Sequence, residues 1–112
     1  MSTVPIADVH LGATAQTLPI ANAERVMAGL RPAFRNCFGV GLTDDPTMTG
    51  AVVLDIGVSA EGVVRSVDVL PRGGSVSPPV VACVRRAVQR TQFDPPGSDA
   101  RMTTPMRFGP RQ

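Results

Sequence analysis

The sequence predicts a single α+β domain in two layers, in which two helices cover one face of a three-stranded sheet. Three observations predict this class. Apolar residues recur at steps of three and four in two segments, as in amphipathic helices. Apolar and polar residues alternate in three other segments, as in half-buried strands. The length of 112 residues is that of one domain.

The first helix is predicted over residues 22–38, with Asn22 as a suitable N-cap. Its apolar stripe consists of Val26, Met27, Leu30, Phe34, Cys37 and Phe38. Pro32 lies inside this segment, where a proline removes a hydrogen bond and favours a bend. Gly39 and Gly41 are expected to end the helix.

The segment before this helix, residues 1–21, contains two prolines and no sustained period. We expect it to be a flexible tail or linker. The domain itself is then predicted to span residues 22–112.

Residues 50–59 and 63–70 are predicted to be two strands joined by a tight turn at residues 60–62. The apolar positions of the first strand are Val52, Leu54, Ile56 and Val58. Gly62 is suited to a positive φ in the turn.

A second helix is predicted from Ser77, an N-cap followed by proline at the first helical position, to about Gln92. A third strand follows over residues 101–108. Because a helix connects the second strand to the third, those two strands are expected to be parallel. The first strand is the most apolar, which favours the strand order 2-1-3. Pro105 cannot donate to a ladder and therefore predicts that the third strand lies at a sheet edge.

Composition argues against an enzyme, a metal site and a bound cofactor. One His and two Cys do not supply a His/Cys metal site. That histidine, His10, lies in a Thr/Ala/Pro-rich opening segment and has no evident nucleophile beside it. Asp55 and Asp68 occupy alternating polar positions of the paired strands, so we interpret them as solvated residues of one sheet face.

All eleven basic residues are Arg, and the formal net charge is +2. Arg85, Arg86 and Arg90 have no acidic residue at i±4 within the second helix. They are interpreted as a solvated helix face, with contact to an anionic partner as the alternative. Nucleic acid is not expected, because stacking aromatics are missing. No apolar stretch approaches the roughly 20 residues of a membrane helix, so no membrane insertion is expected.

Cys37 and Cys83 each lie on a predicted helix, and both helices are expected to cover the same sheet face. Contact between them is therefore compatible with the predicted fold. The residues alone leave two alternatives open, a disulfide or two buried free thiols.

The element order and several short motifs together resemble the C-terminal domain of TonB-type energy transducers, and more closely the AgmX/PglI C-terminal domain of myxobacterial envelope proteins. The motifs are Asn36-Cys37-Phe38, Pro46-Thr47-Met48-Thr49-Gly50, Ala60-Glu61-Gly62-Val63, Val81-Ala82-Cys83-Val84, Phe93-Asp94-Pro95-Pro96-Gly97 and Pro105-Met106-Arg107-Phe108. The resemblance covers about residues 24–110.

This resemblance implies a TonB C-terminal-like fold and a non-catalytic protein-interaction module in the periplasm. The module would belong to a longer, inner-membrane-anchored protein of the energy-transducing or gliding-motility type. It also implies an oxidising compartment and hence a Cys37–Cys83 disulfide. The implied partner is an outer-membrane or periplasmic protein, and weak association of two copies is a further expectation.

TonB-type relatives bind a partner by adding a strand to the edge that corresponds to residues 101–108. The expected site is therefore the edge formed by Arg101, Met102, Thr103 and Thr104, with Pro105 ending the pairing. The alternative occupants of this edge are the segment around residues 18–20 or a second copy of the domain. The alternative function is a small enzyme subunit or regulatory domain whose site has no recognisable motif.

Overall fold

The computed structural model describes residues 7–110. In chain order the elements are β1 (Ala7–Leu11), β2 (Ala15–Gln16), α1 (Ala23–Gly29), α2 (Arg31–Asp44), β3 (Gly50–Val58), β4 (Val64–Gly74), α3 (Pro78–Gln89) and β5 (Ala100–Pro110). The sheet order is β1-β5-β3-β4, and β2 pairs with β5 beyond the end of β1. All of these pairings are antiparallel.

The α+β class is confirmed, and so is the predicted arrangement of the three main strands. β3 lies between β4 and β5 and is antiparallel to both, so β4 and β5 run in the same direction. The hairpin turn forms as expected, because the Ser59 N–H donates to the Val63 carbonyl at 2.8 Å. The expectation of only three strands is wrong, since two further strands come from the N-terminal segment.

The described part of the N-terminal segment is ordered in the sheet rather than being a tail. β1 pairs with the C-terminal half of β5, and Val9 lies opposite Phe108. Ala7 and Val9 are buried in the core. They alternate with Asp8 and His10, which lie on the other face of the sheet. Burial of these two apolar side chains, together with a strand ladder, offsets the entropy of ordering the segment. The prediction of a flexible segment over residues 1–21 therefore fails for residues 7–16, and residues 1–6 lie outside the described part.

Pro105 does not place β5 at a sheet edge, because the missing N–H falls where it breaks no ladder bond. The Pro105 carbonyl accepts the Gly12 N–H at 2.8 Å, so the backbone of Pro105 faces the β1 side of the strand. β1 pairs up to Met106, and β2 begins its pairing at Thr103. The proline thus lies at the gap between two short partner strands, and the β3 side of β5 pairs without interruption.

The predicted first helix is two helices. α1 ends at Gly29 and α2 begins at Arg31, which places Pro32 in the first turn of α2, where its missing N–H costs nothing. Gly39 and Gly41 do not end the helix, which continues to Asp44. A side chain at Gly41 would collide with Met48 and Val80, so this glycine permits close packing of α2 against its neighbours.

The core lies between the helices and the inner face of the sheet. Its largest buried side chains include Phe34, Phe38, Leu54, Ile56, Met102 and Met106. The Phe38 ring of α2 stacks on the Phe108 ring of β5, with ring centroids 3.7 Å apart. On β3 and β5 buried residues alternate with more exposed ones, and on β4 Val67 is buried between more exposed neighbours. The described helices therefore cover one sheet face and leave the other open to solvent.

Replacement of Gly62 by Ala is expected to destabilise the domain by about 3 kcal/mol, whereas the same change at Gly97 should cost about 1 kcal/mol. Both glycines have φ of +89°, so the backbone penalty is matched. A Cβ at Gly62 would collide with the Phe93 carbonyl, whereas a Cβ at Gly97 would meet open space. Urea denaturation of both variants measures the difference. Equal losses of stability would show that the contact between the hairpin turn and Phe93 is not rigid.

Candidate functional site

The edge formed by Arg101, Met102, Thr103 and Thr104 is not free. Ala15 pairs with Thr103, and Gln16 pairs with Met102. The Thr17 N–H donates to the Arg101 carbonyl at 3.0 Å, and the Arg101 N–H donates to the Thr17 hydroxyl at 2.9 Å. The expectation of an unpaired edge here is therefore wrong, because the chain's own residues 15–17 occupy it. This covering segment directly precedes residues 18–20, the alternative occupant named above.

Two further hydrogen bonds hold Thr14, the residue directly before the covering segment. Thr104 is fully buried, and its hydroxyl lies 2.8 Å from the Thr14 hydroxyl in a hydrogen bond. The Thr14 N–H donates to the Glu24 carboxylate on α1 at 2.9 Å. The segment between β1 and β2 is thus attached both to the sheet and to the first helix. A partner strand could reach this side of β5 only by displacing it.

The outer edge of β4 is the long edge that remains open among the described strands. The guanidinium Nε of Arg85 donates to the Val67 carbonyl at 3.2 Å, which indicates that this carbonyl points away from β3. Backbone groups of an antiparallel edge strand point outward at every second residue. The outward set is therefore Val67, Val69 and Pro71, and Pro71 lacks only an N–H that would have faced solvent.

Few contacts cover this edge beyond Val67. Residues 70–74 are all exposed. Among residues 7–110 no backbone hydrogen bond reaches the outward groups of Val69 or Pro71 from another element. An irregularity in the ladder beside Pro71 places one extra residue, Arg72, on this strand. The edge thus offers a short row of accessible backbone groups, bounded by Arg85 at one end and by the irregularity at the other.

The open face of the sheet carries charged and apolar residues in separate rows across the strands. Asp55 and Asp68 lie directly opposite each other on β3 and β4. The Arg101 guanidinium forms an ion pair with the Asp55 carboxylate at 2.9 Å. This is the one ion pair found within residues 7–110. Two like charges opposite each other destabilise a strand pair, and a single arginine compensates only one of them. The interpretation of both aspartates as sheet-face residues agrees with their place in the ladder.

The next row along the strands is apolar. Val53 lies opposite Leu70 on one side and Pro105 on the other. Leu70 is 36% exposed. Beyond this row Ala51 lies opposite Arg107, which in turn lies opposite His10 of β1. Arg72 joins these residues around a shallow groove of about 370 Å³.

Cys37 and Cys83 form a disulfide between α2 and α3, as the resemblance implies. Their Cα atoms are 5.6 Å apart. The bond connects residues 46 positions apart and attaches the two helices to each other above the core. Both thiols are therefore used, and neither is available as a nucleophile or a metal ligand.

The three arginines of the second predicted helix have different surroundings. Arg85 is held at the β4 edge, as described above. Arg86 and Arg90 border a shallow depression beside the disulfide, together with Asn36. Both are exposed and make no ion pair within the part of the chain that the structure describes. His10 is exposed as well, on the open face beside Arg107.

Residues 7–110 contain neither a membrane-spanning helix nor a cluster of metal ligands. No helix there is long and apolar enough to cross a membrane. No group of three or more His, Cys, Asp or Glu side chains is arranged to hold a metal ion. Comparison of the chain with protein families, curated proteins and solved structures finds no match.

One feature of the site was missed by the sequence-based predictions, namely the strand β1. The alternation of Ala7, Val9 and Leu11 with Asp8 and His10 is the signal that indicates a strand. The alternation is only five residues long and is followed by Gly12. The prolines and the lack of a sustained period in residues 1–21 therefore favour a flexible segment over a strand. The predicted strand order 2-1-3 already left the outer side of β4 unpaired, but the binding site was expected on β5 instead.

Reduction of the disulfide is expected to lower the melting temperature by roughly 15 °C, because closing a loop of this length contributes about 4 kcal/mol. Thermal unfolding followed by circular dichroism, with and without reductant, measures the shift. Intact mass after thiol alkylation reports whether the bond is present at the start. The double variant Cys37→Ala/Cys83→Ala is the matched control and should not respond to reductant. Two freely alkylated thiols in unreduced protein exported to the periplasm would contradict the assignment.

Proposed function

We propose that this chain is a non-catalytic protein-interaction module of the cell envelope. In this proposal it is the periplasmic domain of a longer TonB-like protein anchored in the inner membrane, of the energy-transducing or gliding-motility type. It binds an outer-membrane or periplasmic protein whose extended segment is added to the sheet. The observation that carries the proposal is the open outer edge of β4.

The backbone of β4 supports strand addition. Val69 offers both an N–H and a carbonyl on the outer side. The Pro71 carbonyl accepts an exposed hydrogen bond from Arg72 Nη1 at 3.4 Å, which a partner N–H would have to replace. Backbone groups of an exposed edge strand gain partners when an extended peptide lies beside them. Because β4 has irregularities in its ladder near both ends, the partner segment pairs with only a few residues around Val69.

The charges around this edge favour an acidic partner segment. Arg65, Arg72 and Arg85 lie along β4 or at its side, and each of them is exposed. Asp68 opposes them, but it points to the open face rather than along the edge. Complementary charges accelerate encounter and select the partner more than they raise affinity.

The disulfide supports a compartment outside the cytoplasm. Structural disulfides persist in the periplasm and in other oxidising environments, and they are rare where cellular reductants keep thiols reduced. Cys37–Cys83 is a bond between two helices that cover the core, which is the usual place for a structural rather than a redox-active disulfide. The periplasmic location proposed here is based on this bond and on the TonB-like resemblance.

The chemistry of the titratable residues supports a binding role rather than catalysis. Asp55 is occupied by Arg101, and both cysteines are bonded to each other. His10 lies beside an arginine on an exposed strand. General acid–base or nucleophilic catalysis needs such groups to converge on one site, and here they are spread over two faces of the domain.

The variant Val69→Pro is expected to weaken binding of an extended peptide at least about tenfold, because it removes an outward N–H that no internal bond uses. The probe is a random peptide library displayed on phage and selected on the oxidised domain, with affinities of synthetic copies measured by calorimetry. Val69→Ala is the matched control, since it loses a similar side chain but keeps the N–H. It should retain binding.

Amide chemical-shift mapping with a selected peptide locates the site. Under this proposal the shifted amides cluster at residues 67–72 of β4. Shifts on β1, β2 or the helices would overturn the edge assignment, as would a Val69→Pro variant that binds as tightly as Val69→Ala. A library that yields no binder would also count against it.

A further inference from the structure

The geometry points to a second copy of this chain as the occupant of the open sheet face, in a two-fold symmetric dimer. This inference does not depend on the proposed function, because it concerns the face of the sheet and not its edge. It starts from the order of the rows on that face.

Three successive rows run across the open face. The first holds Asp68 and Asp55, with Thr103 beside them. The second is the apolar row of Leu70, Val53 and Pro105. The third holds Ala51, Arg107 and His10, and Arg72 borders the same groove. On one side of the apolar row Arg101 neutralises Asp55, so the uncompensated negative charge is that of Asp68. On the other side lie the positive charges of Arg107 and Arg72, with Asp8 one row further along β1.

This order is self-complementary. A two-fold axis along the apolar row maps the row onto itself and exchanges its two sides. The acidic row of one copy then faces the basic row of the other. Because position across the strands is kept, Asp68 of each copy faces Arg72 of the other, both at the β4 side of the sheet. The two sheets pack face to face at a spacing of about 10 Å, with Leu70 and Val53 between them.

The surroundings of the Asp68 carboxylate within a single chain support its contact with Arg72 of a second copy. Asp68 lies opposite Asp55 on the neighbouring strand. Arg101 forms its ion pair with Asp55 and not with Asp68. Asp68 itself has no cation within 4.0 Å among the described residues. Like charges directly opposite each other on two strands are unfavourable, and Asp68 is exposed and open to a counter-charge from outside the chain. The Arg72 of a second copy supplies the missing positive charge.

The dimensions of the patch make the dimer a weak one. Three rows across four strands cover roughly 400 Å² on each copy, from the spacing of strands and residues in a sheet. That area lies at the low end for specific interfaces, so we expect an equilibrium between monomer and dimer in the micromolar range or above. Because charges flank the apolar row, the association should weaken as salt rises.

Sedimentation equilibrium of the oxidised chain, from about 10 µM to about 1 mM, measures this association. The average mass should rise with concentration from 11.7 kDa toward twice that value. The single variants Asp68→Arg and Arg72→Asp should each lower the association constant about tenfold or more, since each brings like charges together at two symmetric contacts. Asp44→Arg, on α2, makes the same change in charge away from the open face and should leave the constant unchanged.

Mixing the two single variants separates this geometry from a general charge effect. In a mixed pair, position 68 of each chain again faces an opposite charge at position 72 of its partner. The mixture should therefore associate at least as strongly as the parent chain, although each variant alone associates more weakly. Circular dichroism of each variant verifies that the fold is retained.

Three results would overturn the inference. One is a parent chain that stays monomeric over the whole concentration range. Another is a mixture of the two variants that does not associate. The third is a dimer whose constant responds to Val69→Pro but not to Asp68→Arg, which would place the second copy on the β4 edge instead.

Discussion

The pairing of β5 on both of its sides is the constraint on which the rest of this structure depends. Its inner face supplies Met102, Met106 and Phe108 to the core, while β3 occupies one edge and β1 with β2 occupies the other. The C-terminal strand therefore holds the N-terminal segment in place, and the N-terminal segment completes the C-terminal strand. Contacts between such distant parts of a chain cost loop-closure entropy and are intrinsically slow to form.

This closure decides which surfaces remain for other molecules. Once residues 15–17 occupy the edge at Arg101–Thr103, the long edge still open in the described sheet is that of β4. Once α2 and α3 cover the inner face and are joined by the Cys37–Cys83 bond, the outer face is the broad surface left without a layer. Both surfaces border β4, and Arg72 stands where they meet. A partner at the edge and a copy on the face would therefore influence each other through that residue.

The edge and the face also differ in what they can select. The edge presents backbone groups, which any extended peptide satisfies, so its selectivity depends on the flanking arginines. Pro71 and the ladder irregularity beside it shorten the accessible row and protect the chain against unlimited strand addition. The face presents side chains in fixed register, and in the proposed dimer its order of charges would select a partner with the opposite order.

Local patterns of the sequence determined most of the elements. Alternation predicted β3, β4 and β5, the Ser77-Pro78 pair predicted the start of α3, and Gly62 marked the turn, because these signals depend on neighbouring residues alone. The strand order β4-β3-β5 also followed, since the most apolar strand is buried deepest. The Cys37–Cys83 bond was implied by a resemblance and left open by the residues themselves. Only the tertiary structure decided that residues 7–16 belong to the sheet and that β5 is an interior strand. The physical reason is that backbone N–H and C=O groups are the same in every residue, so the local sequence does not specify their hydrogen-bond partners. Whether a strand edge is paired depends on which distant segment reaches it. Here Pro105 lies at the gap between two such segments, β1 and β2.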